Sequence, residues 1–270
     1  MLCDYPLNAT LWWLNWFDGR SESALVQWRG LCQGRDVNAL MTAGQLINWG
    51  MPALAADMLN ALDCQRTLPL YLQASLLPKA ERGELVVKAI DAFPQFVRFP
   101  NTLEEVAALE SIEECWFARH LLACFYYNKR SYGKAIALWQ RCVEMSPEFA
   151  DGWRGLAIHA WNKQHDYELA ARYLDNAYQL APQDARLLFE RDLLDKLSGV
   201  TPEKRLARLE NNLEIALKRD DMTAELLNLW HLTGQADKAA DILATRKFHP
   251  WEGGEGKVTS QFILNQLLRD

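Results

Sequence analysis

The sequence predicts an all-α fold built from paired helices, and three observations support this class. Apolar residues recur at helical spacing in segments of about 11 to 16 residues, separated by glycine-, proline- or aspartate-rich turns. Residues 122–129 recur 34 positions later as residues 156–163. After a one-residue insertion the similarity resumes at a spacing of 35, where residues 132–147 return as residues 167–182. This periodicity indicates helix-turn-helix units that stack side by side.

The repeated positions carry the residue types that such stacking requires. Small residues stand where two helices would cross, and a proline closes the second helix of each unit. The matched positions are Leu122 with Leu156, Ala123 with Ala157, Tyr126 with Ala160, Asn128 with Asn162, Tyr132 with Tyr167, Ala135 with Ala170, Trp139 with Leu174, Cys142 with Ala177, and Pro147 with Pro182. The pattern resembles the tetratricopeptide repeat, and this resemblance implies a helix-turn-helix solenoid wound as a right-handed superhelix with a concave groove.

We expect one α-solenoid over residues 1–270, because each repeat of such an array packs only on its neighbours. Its predicted parts are divergent helix pairs in 1–77, an irregular Pro/Phe-rich segment in 78–113, the best-matching repeats in 114–182, diverged helix pairs in 183–247, and a loop with a capping helix in 248–270. The predicted pairs are 36–49 with 52–63, 114–128 with 131–145, 150–163 with 167–181, and 221–233 with 236–246. Gly50 and Gly234 are expected to reverse the chain within their pairs.

Composition excludes several functional classes. The formal charge is −6 and basic residues are dispersed, which is unlike the basic stripe of a nucleic-acid-binding surface. No apolar run reaches the length of a membrane-spanning helix. The six cysteines have no regular spacing, so we expect reduced thiols and a cytoplasmic location.

No motif predicts catalysis, a metal site or a cofactor. The string from His249 to Lys257 invites comparison with a phosphate-binding loop, but Trp251 and Val258 stand where that motif needs glycine and serine or threonine. None of the five histidines belongs to an HExxH zinc motif. We therefore predict a protein without enzymatic activity. We assign the string a structural role as a tight turn that returns the last helix, carried by His249, Pro250, Trp251, Gly253, Gly254 and Gly256.

Binding is the function that the pattern favours. In solenoids of this kind the first helix of each pair lines the concave side, so its non-core positions would meet a ligand. Aromatic rings there would supply contact area, and asparagine amides would hold a peptide backbone by paired donor and acceptor bonds. The predicted groove residues are Phe117, His120, Tyr127, Asn128, Arg154, Ile158, Trp161 and Asn162. The alternative is that Tyr127 and Trp161 only complete the packing between repeats.

The start of the chain is rich in tryptophan, with Trp12, Trp13, Trp16 and Trp28. Either these rings pack on something outside this chain, or they fill the core of the first helix pair. Both readings remain open at the level of sequence.

Several strings together resemble bacterial proteins that carry a DUF5107 domain. They are the Asp4–Asn8 segment, the proline- and phenylalanine-rich stretch at 93–100 followed by Leu103-Glu104-Glu105, the segment from Pro182 to Leu188, Arg219-Asp220-Asp221, and above all Phe248–Lys257. Members of that family are typically longer and place a β-rich, mutarotase-like domain before the repeats. The resemblance implies that this chain is a C-terminal part of such a protein, and it supplies no catalytic residue.

The leading expectation is a scaffold that binds a partner protein, or its own upstream domain, through the concave groove. One alternative is an accessory module of a carbohydrate-active, mutarotase-like enzyme. Another is a self-association module that acts through the aromatic N-terminal end.

Overall fold

A computed structural model describes residues 15–19, 21–32, 36–62, 66–92, 98–246 and 248. Every regular element in these ranges is helical, which confirms the predicted all-α class. The chain divides into two compact units, residues 1–145 and 146–270. In these ranges no helix is long and apolar enough to cross a membrane. The continuous solenoid over the whole chain and its handedness stay predictions.

The described residues of the first unit form a series of helices. They are α1 (Ser21–Cys32), α2 (Asp36–Asn48), α3 (Pro52–Asn60), α4 (Thr67–Ser75), α5 (Gly83–Asp91), α6 (Leu103–Glu110), α7 (Trp116–Asn128) and α8 (Tyr132–Met145). The pairs α2–α3 and α7–α8 are the predicted helix hairpins, with bounds within a few residues of those expected.

The second unit continues the pattern. Its helices are α9 (Ala150–His159), α10 (Tyr167–Leu180), α11 (Ala185–Leu197), α12 (Pro202–Glu210), α13 (Leu213–Ala216), α14 (Asp220–Leu232) and α15 (Ala236–Thr245). A π-helical turn, Ala160–Gln164, extends α9. The predicted pairs α9–α10 and α14–α15 are both present.

The turns at three glycines share one backbone arrangement. Gly50, Gly199 and Gly234 have positive φ, and the next residue donates its amide hydrogen to a carbonyl five positions back, as when Gln235 donates to Trp230. Glycine suits this turn because it adopts the left-handed conformation without a Cβ penalty. The predicted chain reversals at Gly50 and Gly234 are confirmed.

Small residues allow the paired helices to approach closely, as the repeat pattern predicts. Ala123 and Ala135 in α7 and α8, and Ala157 and Ala170 in α9 and α10, are completely or almost completely buried. A larger side chain at these positions would push the helices apart, because protein interiors are close-packed.

Trp28 belongs to the core of the first unit. Its ring is buried, and its indole Nε1 donates a hydrogen bond to the carbonyl of Met58 at 3.2 Å. For Trp28 the structure supports the interpretation that the ring is part of the core. Trp12 and Trp13 lie outside the described residues.

The prediction that residues 78–113 are irregular is wrong for α5 and α6. Helix α6 begins with a capping box, in which the hydroxyl of Thr102 accepts from the amide of Glu105 and the Glu105 carboxylate accepts from the amide of Thr102. This T-x-x-E spacing is a helix-start signal that outweighs the nearby prolines. Phe93 and Phe96 of this segment lie outside the described residues.

Helices α11 and α12, in the region predicted to be diverged, are joined to each other and to α14 by a buried ion network. The guanidinium of Arg205 donates to both carboxylate oxygens of Asp192 at 3.1 and 2.6 Å, and to Glu225 at 2.6 Å. Burial raises the pKa of Asp192 in spite of these bonds. Burial would also raise the pKa of Glu225, but hydrogen bonds from Arg205 and Lys196 more than offset it, so its pKa lies below the usual value. Charged residues at these helix contacts explain why the repeat pattern fades here.

Candidate functional site

The facing sides of α9 and α11 form the site in the second unit. Two ion pairs join the N-terminal halves of these helices. The guanidinium of Arg186 donates to Asp151 at 2.8 Å, and one turn further Arg154 donates to both carboxylate oxygens of Glu190 at 3.0 and 2.8 Å. These pairs close the space between the helices at that end.

Beyond the second ion pair the two helices enclose a cleft of about 380 Å³. Buried Ala157 and Leu174 are among its lining residues. The other lining residues are Ile158, Trp161, Asn162, Phe189, Glu190 and Leu193. This volume lies at the lower end of the range of about 300–1,000 Å³ found for ligand pockets. The cleft therefore has room for one or two apolar side chains.

The cleft is mainly apolar and carries little net charge. Glu190 is its only acidic lining residue, and the paired guanidinium of Arg154 neutralises it. Asn162 is exposed at the end of the lining and offers an amide donor and an amide acceptor. His159 is adjacent in sequence to the lining residue Ile158, and burial together with Lys163 lowers its pKa.

The π-helical turn gives this site its local shape. In the α7–α8 hairpin the amide of Ser131 donates to the carbonyl of Tyr126, five positions back. In the α9–α10 hairpin the amide of Asp166 donates to the carbonyl of Ala160, six positions back. The one-residue insertion inferred from the repeat spacing is therefore taken up in this turn, which includes Trp161.

Three of the predicted groove residues, Ile158, Trp161 and Asn162, line this cleft together. Arg154 lies beside it, but its guanidinium is engaged by Glu190. We therefore assign Arg154 to shaping and neutralising the cleft. A role of these residues in binding stays a proposal.

In the first unit the prediction that Phe117 and His120 face an open groove is wrong. Phe117 is fully buried, with its ring centroid 5.5 Å from that of Trp116 and 6.4 Å from that of Tyr71. His120 is 6% exposed and stacks on Phe117 at 6.1 Å. Both side chains are part of the core, because α7 turns this face toward its neighbours.

The remaining predicted residues of the first unit differ from each other. Tyr127 is half-buried, and its ring lies 5.1 Å from Tyr132 and 5.4 Å from Trp139, centroid to centroid. Asn128 is exposed at the end of α7. Packing within its own hairpin is therefore the observed role of Tyr127.

The other lining side chains, Phe189, Glu190 and Leu193, were not among the predicted groove residues. The sequence indicates two of them, because Phe189 and Leu193 lie 35 residues after the predicted groove residues Arg154 and Ile158. The prediction that 183–247 is diverged did not include this correspondence.

A second cleft, of about 270 Å³, lies in the first unit beside the start of α5. Its most prominent cation is Arg82, whose guanidinium already donates to the carbonyls of Ser75, Leu77 and Ser111. This arginine caps neighbouring helix ends, so the cleft offers no ready anion site.

Within the described residues no group of three or more His, Cys, Asp or Glu side chains could hold a metal ion. Among the described residues, Cys32, Cys115, Cys124 and Cys142 are not joined in disulfides. The string assigned to a structural turn, with His249, Pro250, Trp251, Gly253, Gly254 and Gly256, lies outside the described residues.

No protein-family model matches the chain, so the resemblance to DUF5107-domain proteins stays a prediction. Among solved structures, YrrB, a TPR protein with an unusual peptide-binding site, is similar at 18% identity and a TM-score of 0.40, covering 66% of this chain and 83% of that one. TTC0263, a thermophilic TPR protein in Thermus thermophilus, is similar at 18% identity and a TM-score of 0.42, covering 73% of this chain and 97% of that one. The TPR domain of P58(IPK) is similar at 17% identity and a TM-score of 0.40, covering 90% of this chain and 68% of that one. At these TM-scores and identities nothing about the binding properties of this chain follows from the likeness.

Proposed function

We propose that the chain is a non-catalytic scaffold that holds an extended segment of a partner protein in the cleft between α9 and α11. The observation that carries the proposal is an open, mainly apolar cleft whose lining includes two aromatic rings, Trp161 and Phe189. The partner is a separate protein or the upstream domain that the family resemblance implies.

The lining chemistry fits an apolar side chain that enters from a peptide. Burying such a side chain against Ile158, Leu193 and the two rings removes apolar surface from water, which contributes about 25 cal/mol per Å². The exposed amide of Asn162 can pair with one backbone amide and one carbonyl of the bound segment.

A glycan fits the same walls less well. Its hydroxyl groups would lose water, and a buried polar group without a partner costs free energy. Asn162 is the one uncharged polar side chain of the lining, and the carboxylate of Glu190 is already bonded to Arg154. The carbohydrate-related alternative therefore lacks the hydrogen-bonding groups it needs in this cleft.

Selection of peptides from a random display library on the immobilised protein tests the proposal. We expect the selected peptides to share an apolar residue and to lose affinity for Leu193→Glu, which places a charge in the cleft. The expected loss is at least about tenfold, because one buried apolar side chain is worth about 1.5–3 kcal/mol and 1.4 kcal/mol corresponds to tenfold.

Leu197→Glu is the matched control. Leu197 lies one turn further along α11, is exposed and is not part of the lining. Its substitution should leave affinity within about twofold, since exposed substitutions away from a contact cost little. Selected peptides that bind both glutamate variants as well as the wild type would overturn the cleft as the binding site. Maltohexaose serves as the glycan probe, and tighter binding of it than of any selected peptide would favour the alternative.

A further inference from the structure

We propose that the π-helical turn Ala160–Gln164 is the specificity element of the cleft, and that it makes the cleft select an uncharged aromatic side chain of the partner. This inference rests on the proposed function and names its ligand class. Three features carry it: the origin of the turn, the position that the turn gives to one aromatic residue, and the charges that face the cleft.

The turn arises from a single additional residue. Tyr126–Asn128 correspond to Ala160–Asn162 at a spacing of 34, whereas the left-handed residues Arg130 and His165 are 35 apart. The extra residue therefore lies between Asn162 and His165. It widens the last turn of the first helix, because a π-helical turn contains more residues than an α-helical one.

The position that differs most between the two hairpins is Tyr127 in one and Trp161 in the other. Tyr127 lies against Tyr132 and Trp139 of its own hairpin. Trp161 also packs against the core of its hairpin, but it lines the cleft together with Phe189 of α11. Leu174 occupies the repeat position of Trp139, so the smaller side chain also leaves space that a ring fills in the other hairpin.

The charges around the cleft select against a cation. Two aromatic rings and a carboxylate would otherwise suit an ammonium group. Here both oxygens of Glu190 accept from Arg154, and the guanidinium carbon of Arg219 lies 5.7 Å from the centre of the Phe189 ring. A further cation would therefore find the Glu190 carboxylate already paired and one face of the Phe189 ring already covered by Arg219. An anion would lie against apolar walls and the carboxylate of Glu190, so an uncharged ring is the side chain that fits.

Titration of the full chain with model peptides tests the inference. The probes are acetylated, amidated peptides Ser-Gly-Ser-X-Ser-Gly-Ser, in which X is Phe, Leu, Lys, trimethyllysine or Glu. Binding is read from the indole N–H signal of Trp161 and the side-chain amide signals of Asn162 in heteronuclear NMR spectra. We expect the Phe peptide to bind at least about twofold tighter than the Leu peptide, since aromatic pairs add about 0.5–1.5 kcal/mol beyond buried area. The Lys, trimethyllysine and Glu peptides should bind more weakly than the Leu peptide.

The turn itself is tested by deleting Gln164 together with His165→Gly, which recreates the shorter turn of the other hairpins. We expect this variant to keep its helical circular dichroism and to lose the preference for Phe over Leu. The single variant His165→Gly is the control, because it keeps the insertion and relieves a positive φ. It should bind the Phe peptide as the wild type does. If the deletion variant does not fold, Trp161→Leu replaces it, with loss of the Phe preference as the expected result.

The outcomes separate this inference from the proposed function. Retention of the Phe preference by a folded deletion variant, or by Trp161→Leu in its place, would overturn the role of the turn. Tighter binding of the Lys or trimethyllysine peptide than of the Phe peptide would overturn the choice of an uncharged ring. In both cases the proposed function stands if Leu193→Glu still abolishes binding of selected peptides, and it fails if that variant has no effect.

Discussion

Arg154 and Glu190 form a bidentate ion pair between α9 and α11, in which the Nε of Arg154 donates to Oε2 of Glu190 at 2.8 Å and Nη2 donates to Oε1 at 2.5 Å. The side chains are 25% and 17% exposed, so water screens the pair only in part. The pair lies directly beside the apolar part of the cleft and removes the net charge of its one acidic residue. A cleft that would otherwise attract cations is thereby suited to an uncharged group.

We predict that Arg154→Met lowers the free energy of unfolding by about 1–3 kcal/mol, because it leaves a largely buried carboxylate without its partner. Adding Glu190→Leu to this variant should recover most of the loss, since it removes the uncompensated charge. Urea denaturation of the wild type, the two single variants and the double variant measures the coupling. A double variant as unstable as the sum of the single changes would contradict the interpretation.

Arg130 offers a test of backbone strain in the α7–α8 turn. Its φ is 61°, in the left-handed region where the turns at Gly50, Gly199 and Gly234 use glycine. We expect Arg130→Gly to raise the free energy of unfolding by about 0.5–1 kcal/mol, because a side chain in this conformation costs about 1–2 kcal/mol and the flexibility of glycine returns part of that. Thermal denaturation measures the change. Arg130→Ala keeps a Cβ and should give no such gain, and an equal gain for both variants would show that loss of the guanidinium is responsible.

Two helical glycines in the first unit should respond oppositely to added side chains. A Cβ at Gly30 would meet nothing within 4 Å, whereas a Cβ at Gly44 would lie 3.3 Å from the Cγ of Glu104. Gly30→Ala should therefore raise the free energy of unfolding by about 0.5–1 kcal/mol, because alanine has a higher helix propensity than glycine. Gly44→Val should destabilise by about 1–3 kcal/mol, because it displaces Glu104 from its 2.7 Å hydrogen bond with Asn48. Denaturant unfolding of both variants tests the contrast, and stabilisation by Gly44→Val would refute the close packing of α2 against Glu104.

Glu210 gives a prediction for acid pH. Hydrogen bonds from Lys238 at 2.7 Å and from the indole of Trp230 at 2.9 Å hold its pKa below the usual 4.5. Because the folded-state pKa is lowered, the carboxylate stabilises the fold above its unfolded-state pKa. That contribution is lost as the pH falls through the lowered value.

We therefore expect Glu210→Gln to be less stable than the wild type at pH 7 and to lose less stability between about pH 5 and pH 3. Urea unfolding followed by tryptophan fluorescence at several pH values measures both quantities. Parallel pH profiles for the two proteins would exclude Glu210 as a contributor.

Much of the fold could be predicted because its signals are local. The hairpin bounds follow from apolar spacing and from glycines such as Gly50 and Gly234, whose backbone freedom is needed where the chain reverses. The capping box at Thr102 was an equally local signal, but the surrounding prolines obscured it. The one-residue insertion was visible as a change of spacing from 34 to 35, although its conversion into a π-helical turn was not.

The candidate site could be predicted only in part. Helical periodicity placed Ile158, Trp161 and Asn162 on one predicted groove face, and in the structure all three line one cleft, whose role in binding stays a prediction. The same reasoning placed Phe117 and His120 on an open surface, although both are buried. Periodicity identifies which residues share a face of a helix, but it does not identify what packs against that face.

The sequence alone determined the helical class and the pairing of neighbouring helices in the predicted hairpins, because these depend on residues close together along the chain. The tertiary structure decided that Arg154 pairs with Glu190 and that Trp161 and Phe189 line the same cleft, since these residues are separated by roughly a whole repeat. Such contacts depend on the angle and distance at which two helices pack, and those are set by all the side chains between them.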